Sequence, residues 1–177
     1  MAPRLPYEES CDRLRELGLL ARNDPSPMPE RLPRCDDEEA LGVNIFRTRL
    51  ASPLDLSDLS LPRTFFGRSE VNGVLFRNSD LRESNLCWND FVGVDFTGAD
   101  LERSDMRSSL FSGVRFVGAN LQKADLRRST FLDCIFESAV MRGAALTTGQ
   151  GKTMQLSDTQ KLEIDWHDQD GPKPDGG

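Results

Sequence analysis

From Leu56 onward, every fifth residue of this chain is large and apolar. The series runs Leu56, Leu61, Phe66, Val71, Phe76, Leu81, Leu86, Phe91, Phe96, Leu101, Met106, Phe111, Phe116, Leu121, Leu126, Phe131, Phe136, Met141 and Leu146. Helices repeat every 3.6 residues and strands every two, so neither element generates this spacing. Each unit must instead be a short extended piece followed by a turn. Two residues before each centre the side chain is usually small, as at Ser79, Ser84, Ala99, Ser104, Ala119, Ala124, Cys134 and Ala144. Large and small groups therefore alternate toward an interior.

A period of twenty lies over the period of five. Phe76, Phe96, Phe116 and Phe136 form one column, Phe91, Phe111 and Phe131 a second, and Leu61, Leu81, Leu101 and Leu121 a third. Four units thus make one turn, and nineteen centres give about 4.75 coils. Gly73, Gly93 and Gly113 fall at one corner, and Gly98 and Gly118 fall at the next with Asn78 before them. These residues suit a turn that needs positive φ. The predicted fold is an all-β solenoid, a right-handed quadrilateral β-helix about 20 to 25 Å long at the usual strand spacing.

Units such as Ala99-Asp100-Leu101-Glu102-Arg103 and Ala124-Asp125-Leu126-Arg127-Arg128 resemble the A(D/N)LXX consensus of the pentapeptide-repeat family. The resemblance covers a little over half the chain. It implies a non-enzymatic protein whose outer surface binds a partner. Family members include immunity partners of bacterial toxins, effectors, adaptors, and DNA mimics that engage DNA gyrase and protect it from quinolones. Those mimics are typically longer and more acidic than the repeat here. The resemblance therefore points first to a bacterial protein that neutralises or protects a specific protein partner, and second to a modulator of a topoisomerase-like enzyme. A structural or adaptor role is the third reading, and homodimerisation is open to the same surface.

Three regions are expected: residues 1–53 as helix, proline-rich connector and cap; 54–148 as the solenoid; and 149–177 as a C-terminal cap with an acidic, disordered tail. Leu14, Leu17, Leu20 and Ala21 predict a helix over Tyr7 to Ala21, stopped by Asn23-Asp24-Pro25. Asp36 to Glu39 reads as a solvated acidic run, and Val43 to Phe46 can begin the first coil. Solenoid ends expose unpaired backbone, so both flanks must act as caps. Met154, Leu156, Leu162, Ile164 and Trp166 are apolar enough to fold back over the far end.

The formal charge of −7 is unevenly distributed. Cations minus anions are 8 − 10 in residues 1–53, 11 − 13 in 54–148 and 3 − 6 in 149–177. A repeat so near neutrality is not built for direct nucleic-acid binding, which draws on a basic excess. No apolar run approaches a membrane span, and the early Glu8, Glu9 and Asp12 do not make a secretory leader. Cys11, Cys35, Cys87 and Cys134 lack metal or disulfide spacing, which fits a reducing cytoplasm.

No catalytic, cofactor or metal residues are expected. His167 stands alone on terminal chain. Asp80, Asp90, Asp95, Asp100, Asp105 and Asp125 each precede an inward residue, so they point outward as solvated surface. Thr147 to Thr153, TTGQGKT, lacks the first glycine of a phosphate loop and reads as a turn leaving the last coil. The candidate partner surface is the set of outward apolar residues Leu75, Val92, Leu110, Val117, Leu132 and Ile135. The alternative is a charged surface of Asp90, Asp95, Asp100, Arg103, Arg107, Arg127 and Arg128, acidic early in the rod and basic late.

Overall fold

In the computed structural model, residues 3–31, 33 and 42–168 are described. The expected loop Asp36 to Glu39, Cys35 and the tail beyond Asp168 lie outside them. The rest forms a parallel β-solenoid of about six turns with a short N-terminal helix. Every inter-coil pairing is parallel. Leu56, Phe76, Phe96, Phe116 and Phe136 fill face one; Leu61 to Met141 fill face two; Phe66 to Leu146 fill face three; and Val71, Phe91, Phe111 and Phe131 fill face four. All of these centres are buried.

Face four carries the longest continuous sheet: β2 (Arg49–Ala51), β4 (Glu70–Asn72), β5 (Asp90–Val92), β6 (Leu110–Ser112) and β7 (Thr130–Leu132), with β7 at one edge. Register advances by twenty residues per coil, as in Phe91 opposite Phe111 opposite Phe131. On face three, β1 (Asn44–Phe46) pairs with β3 (Phe65–Gly67), which places Val43 to Phe46 at the start of the coil as expected. Register here is twenty-one, Asn44 to Phe65 and Arg49 to Glu70, but returns to twenty at Asp55 and Leu75. The extra residue therefore falls in Ser52-Pro53-Leu54. At the far end, β8 (Ala145–Thr147) pairs with β9 (Asp165–His167). These two flanking pairings account for the difference between about 4.75 expected coils and about six observed.

Inside, like stacks on like. Phe76, Phe96, Phe116 and Phe136 lie near-parallel with centroids 5.0 to 5.5 Å apart. Phe91, Phe111 and Phe131 repeat at 5.1 Å. The two stacks meet edge to face, as in Phe111 against Phe116 at 5.7 Å. Both arrangements suit the ring quadrupole, adding about 0.5 to 1.5 kcal/mol per pair beyond burial.

The small residues do more than make room. Between faces three and four, the Ser69 N–H donates to Asn89 Oδ1, the Asn89 N–H to Ser109 Oγ, and the Ser109 N–H to Ser129 Oγ. The hydroxyls of Ser109 and Ser129 in turn donate to the Leu86 and Met106 carbonyls. A buried polar ladder thus satisfies corner backbone that has no strand partner. The corners also need positive φ more widely than the glycines suggest: Arg63, Glu83, Trp88, Lys123 and Arg128 adopt it alongside Gly98 and Gly118.

The N-terminal helix α1 spans Tyr7–Glu16, shorter than the predicted Tyr7 to Ala21. Gly18, at φ 72, ends it. The Leu19 N–H bonds the Leu14 carbonyl and the Gly18 N–H bonds that of Arg15, a Schellman closure that glycine permits because it has no Cβ. The helix buries Ser10, Cys11 and Leu14, and Ser10 Oγ accepts from the Ser60 N–H. Ser60 lies in the first unit of face two, and the α1 hydroxyl takes the place that a preceding coil's carbonyl takes for Asp80 and Asp100.

Candidate functional site

At the C-terminal end the coil is closed by two short helices, α2 (Thr148–Gly151) and α3 (Asp158–Glu163). Each begins with a reciprocal capping box, Thr147 with Gln150 and Ser157 with Gln160. The two glutamines then reach into the preceding coil. Gln150 Nε2 donates to the Leu126 and Ser129 carbonyls at 2.8 Å each, and Gln160 Nε2 to those of Phe136 and Ala139. TTGQGKT is therefore a helical cap, with Gly151 packed against the Trp166 ring. His167 differs from its expectation as free terminal chain: it is in β9, beside Thr147, with Nε2 3.4 Å from Asp165 Oδ2.

This cap does not continue all four faces. Phe116 N–H donates to the Ile135 carbonyl and Gly118 N–H to that of Glu137, while Ile135 N–H donates to the Val114 carbonyl; equivalent bonds recur on every earlier coil of face one. In the last coil, the Phe136 and Ser138 N–H groups and the Cys134 carbonyl have no such partners among the described residues. Beside them lies a groove of about 550 Å³, lined by Cys134, Ile135, Glu137 and Val140 on one wall and by Gln155, Thr159 and Glu163 on the other.

The six apolar candidates divide between two adjacent faces. Leu75, Val117 and Ile135 lie on face one, and Val92, Leu110 and Leu132 on face four. Leu75, Leu110 and Val117 are only partly exposed. They do not form one continuous strip, because Asp95 and Arg115 separate Leu75 from Ile135, and Ser112 separates Val92 from Leu132. On the last coil Leu132 is 49% exposed, Ile135 40% and Val140 40%, and Leu162 on α3 reaches 87%; Phe46, Trp88 and Val92 are exposed on earlier coils. Val140 and Leu162 were outside the sequence-based set. Val140 occupies a column otherwise filled by Ser60, Asp80, Asp100 and Asn120, and that contrast was readable in the sequence.

The charged candidates are largely neutralised in place. Asp95 and Asp80 are buried rather than solvated, correcting the expectation for the aspartate columns. The reason is local: Asp Oδ1 accepts from the N–H two residues on, as in Asp95 with Thr97, Asp100 with Glu102 and Asp125 with Arg127. The arginine of each Asp-x-Arg unit folds back onto its own aspartate, Arg82 on Asp80, Arg107 on Asp105 and Arg127 on Asp125, at 2.6 to 2.7 Å. Asp95 binds Arg77 at 2.8 Å; Asp100 accepts from Asn120; and Arg103 stands 3.8 Å from Glu83. Arg128 is partly exposed at the next corner, and Asp90 is exposed in β5. Burial pushes the Asp105 carboxyl up, but hydrogen bonds from Arg107 and Cys87 and the Arg107 charge outweigh it and hold it below the usual range.

Among the described residues, no His, Cys, Asp or Glu cluster could hold a metal, and no helix is long and apolar enough to cross a membrane. None of Cys11, Cys87 and Cys134 is in a disulfide.

Residues 72–107 and 109–147 match the Pentapeptide repeats family in eight copies. Comparison with curated proteins gave no significant match. Among solved structures, similarity extends to a pentapeptide repeat protein of the Arabidopsis thaliana thylakoid lumen: 24% identity, 64% of this chain and 72% of that one, TM-score 0.45. A pentapeptide repeat protein from the cyanobacterium Cyanothece 51142 shares 21% identity over 56% of this chain and 80% of its own, with a TM-score of 0.39. QnrB1, a plasmid-mediated fluoroquinolone resistance protein, shares 17% over 75% and 69%, with a TM-score of 0.38.

Proposed function

The chain is a pentapeptide-repeat protein, matched to that family over residues 72–107 and 109–147, and on that premise we propose that it is a non-enzymatic scaffold that binds, and neutralises or protects, one protein partner. The observation that carries this reading is the exposure of Leu132, Ile135 and Val140 together on the last coil. An apolar group at the surface of so polar a chain favours a protein interface, whose centre excludes charge. The interior supports the same conclusion, because the stacked Phe and Leu columns fill the space a substrate would occupy.

A DNA-mimicking modulator of gyrase would present carboxylates spaced like phosphates and open to the enzyme. Here Asp80, Asp105 and Asp125 are each clasped by an arginine two residues away. That pairing favours the immunity-type or target-protecting reading.

The test uses Leu110→Asp together with Ile135→Asp. Both side chains point away from the core, so the melting temperature should stay within a few degrees of wild type, while a partner captured from the native host by the wild-type chain should be lost. Retention of that partner by the double variant places the interface elsewhere. Inhibition or protection of purified gyrase by the wild-type chain would favour the topoisomerase reading instead.

A further inference from the structure

The open end of face one has a definite hydrogen-bonding polarity. Along this face, residue i and residue i+2 of one coil donate to the carbonyls of i+19 and i+21, while the N–H of i+19 donates to the carbonyl of i−2. Phe116, Gly118 and Val114 do this with Ile135 and Glu137 of the next coil. Phe136, Ser138 and Cys134 present the same donor, donor and acceptor with no successor among the described residues. An unpaired parallel edge of this kind is a template for one more strand.

The surroundings specify what that strand should carry. Among the described residues, the charged ones lining the groove are acidic, Glu137 and Glu163, with Asp133 lining a second hollow beside it. Exposed Ile135 stands beside the place the first residue of an added strand would take, and exposed Glu137 beside the place of its third. The second residue would face the end of the tube, where Met154 and Leu156 are already buried, so only a small side chain fits.

We propose that face one of the last coil binds a short extended segment of a partner polypeptide by parallel strand addition, with an apolar residue beside Ile135, a small residue next, and a lysine or arginine beside Glu137. This rests on the reading of the chain as a protein-binding scaffold and names the form in which the partner is recognised. The N–H and C=O of the apolar residue meet the Cys134 carbonyl and the Phe136 N–H. The carbonyl of the basic residue meets the Ser138 N–H. Charge and backbone pairing together select sequence and direction.

The experiment titrates the ¹⁵N-labelled full chain with an end-blocked peptide, threonine-valine-alanine-lysine-threonine. The expected result is saturable shifts of the Phe136 and Ser138 amides, with their hydrogen exchange slowed at least tenfold. Methylation of the valine nitrogen should abolish the effect. Replacing lysine by glutamate in the peptide should weaken it, and Glu137→Lys with Glu163→Lys in the protein should restore binding to that glutamate peptide. The proposal is overturned if the methylated peptide binds equally, if shifts occur without protection of those two amides, or if no peptide binds. It is also overturned if the amides become protected with protein concentration alone, which would assign the edge to a second copy of this chain. A partner captured by the wild-type chain without edge protection removes this proposal and leaves the scaffold reading intact; edge protection by the peptide with no host partner does the reverse.

Discussion

Phe116 sits between Phe96 at 5.5 Å and Phe136 at 5.0 Å and meets Phe111 edge on. Its removal takes away contacts on three sides, and coils held by backbone pairing above and below cannot collapse to fill the gap. Phe116→Ala should therefore cost about 3 to 5 kcal/mol, read as a lower melting temperature with little loss of far-ultraviolet β signal. An unchanged melt would show that the ring does not face inward. Acid stability belongs to this scale as well. Asp55, Asp95 and Asp105 are held below the usual carboxylate range, the first chiefly by its bond with Ser57 and the other two because hydrogen bonds and arginine partners outweigh burial. A depressed pKa adds stability above the unfolded value near 4, and that stability is lost as pH falls through the folded value. The melting temperature should stay level from about pH 7 to pH 5 and fall below about pH 4, with a shallower fall in Asp105→Asn.

The elements differ in how openly their residues announce them. The corner at Gly18 was readable, since a glycine after about three helical turns is a common stop, yet the apolar residues Leu19 and Leu20 beyond it resemble a continuing helix. They are instead drawn in by the reversed chain: Leu20 is buried, and Leu19 packs on the core with a bond back to Leu14. The C-terminal cap was legible only in part. Two capping boxes, Thr147 to Gln150 and Ser157 to Gln160, are visible as spacing, but their reach to carbonyls 21 to 24 residues earlier is not. Gln160 makes the sharper test. Gln160→Ala removes two donors from the Phe136 and Ala139 carbonyls and should cost about 1 to 3 kcal/mol. Gln160→Glu should be worse, because it sets a carboxylate against two carbonyl oxygens; thermal melts of the pair decide it.

At the scale of the whole molecule, the surface is set by what the coil leaves over. Three Asp-x-Arg units neutralise their own charge, and Asp95 is paired with Arg77, so the gradient from acidic to basic coils suggested by composition is muted. What remains distinctive is one end, where apolar exposure, an open strand edge and acidic side chains coincide. Outward and inward substitutions should separate binding from stability: Leu110→Asp with Ile135→Asp removes partner capture with a nearly unchanged melt, whereas Phe116→Ala lowers the melt wherever the partner binds. Loss of stability in the first variant would mean that the last coil depends on those outward groups.

The period of five and the period of twenty are properties of the sequence because each unit repeats the same local problem, one large group in, one small group beside it and a turn. That was enough to give the four faces, the Phe stacks and the absence of room inside. Ends have no repeat to read. Whether a given backbone group in the last coil is paired depends on where chain 20 residues later happens to lie, and on faces two and three it returns as α3 and β9 while on face one it does not. The hydroxyl ladder at Ser69, Asn89, Ser109 and Ser129, and the folding of each arginine onto its aspartate, were likewise decided in three dimensions, because both depend on which neighbour in the adjacent turn or coil completes the hydrogen bond.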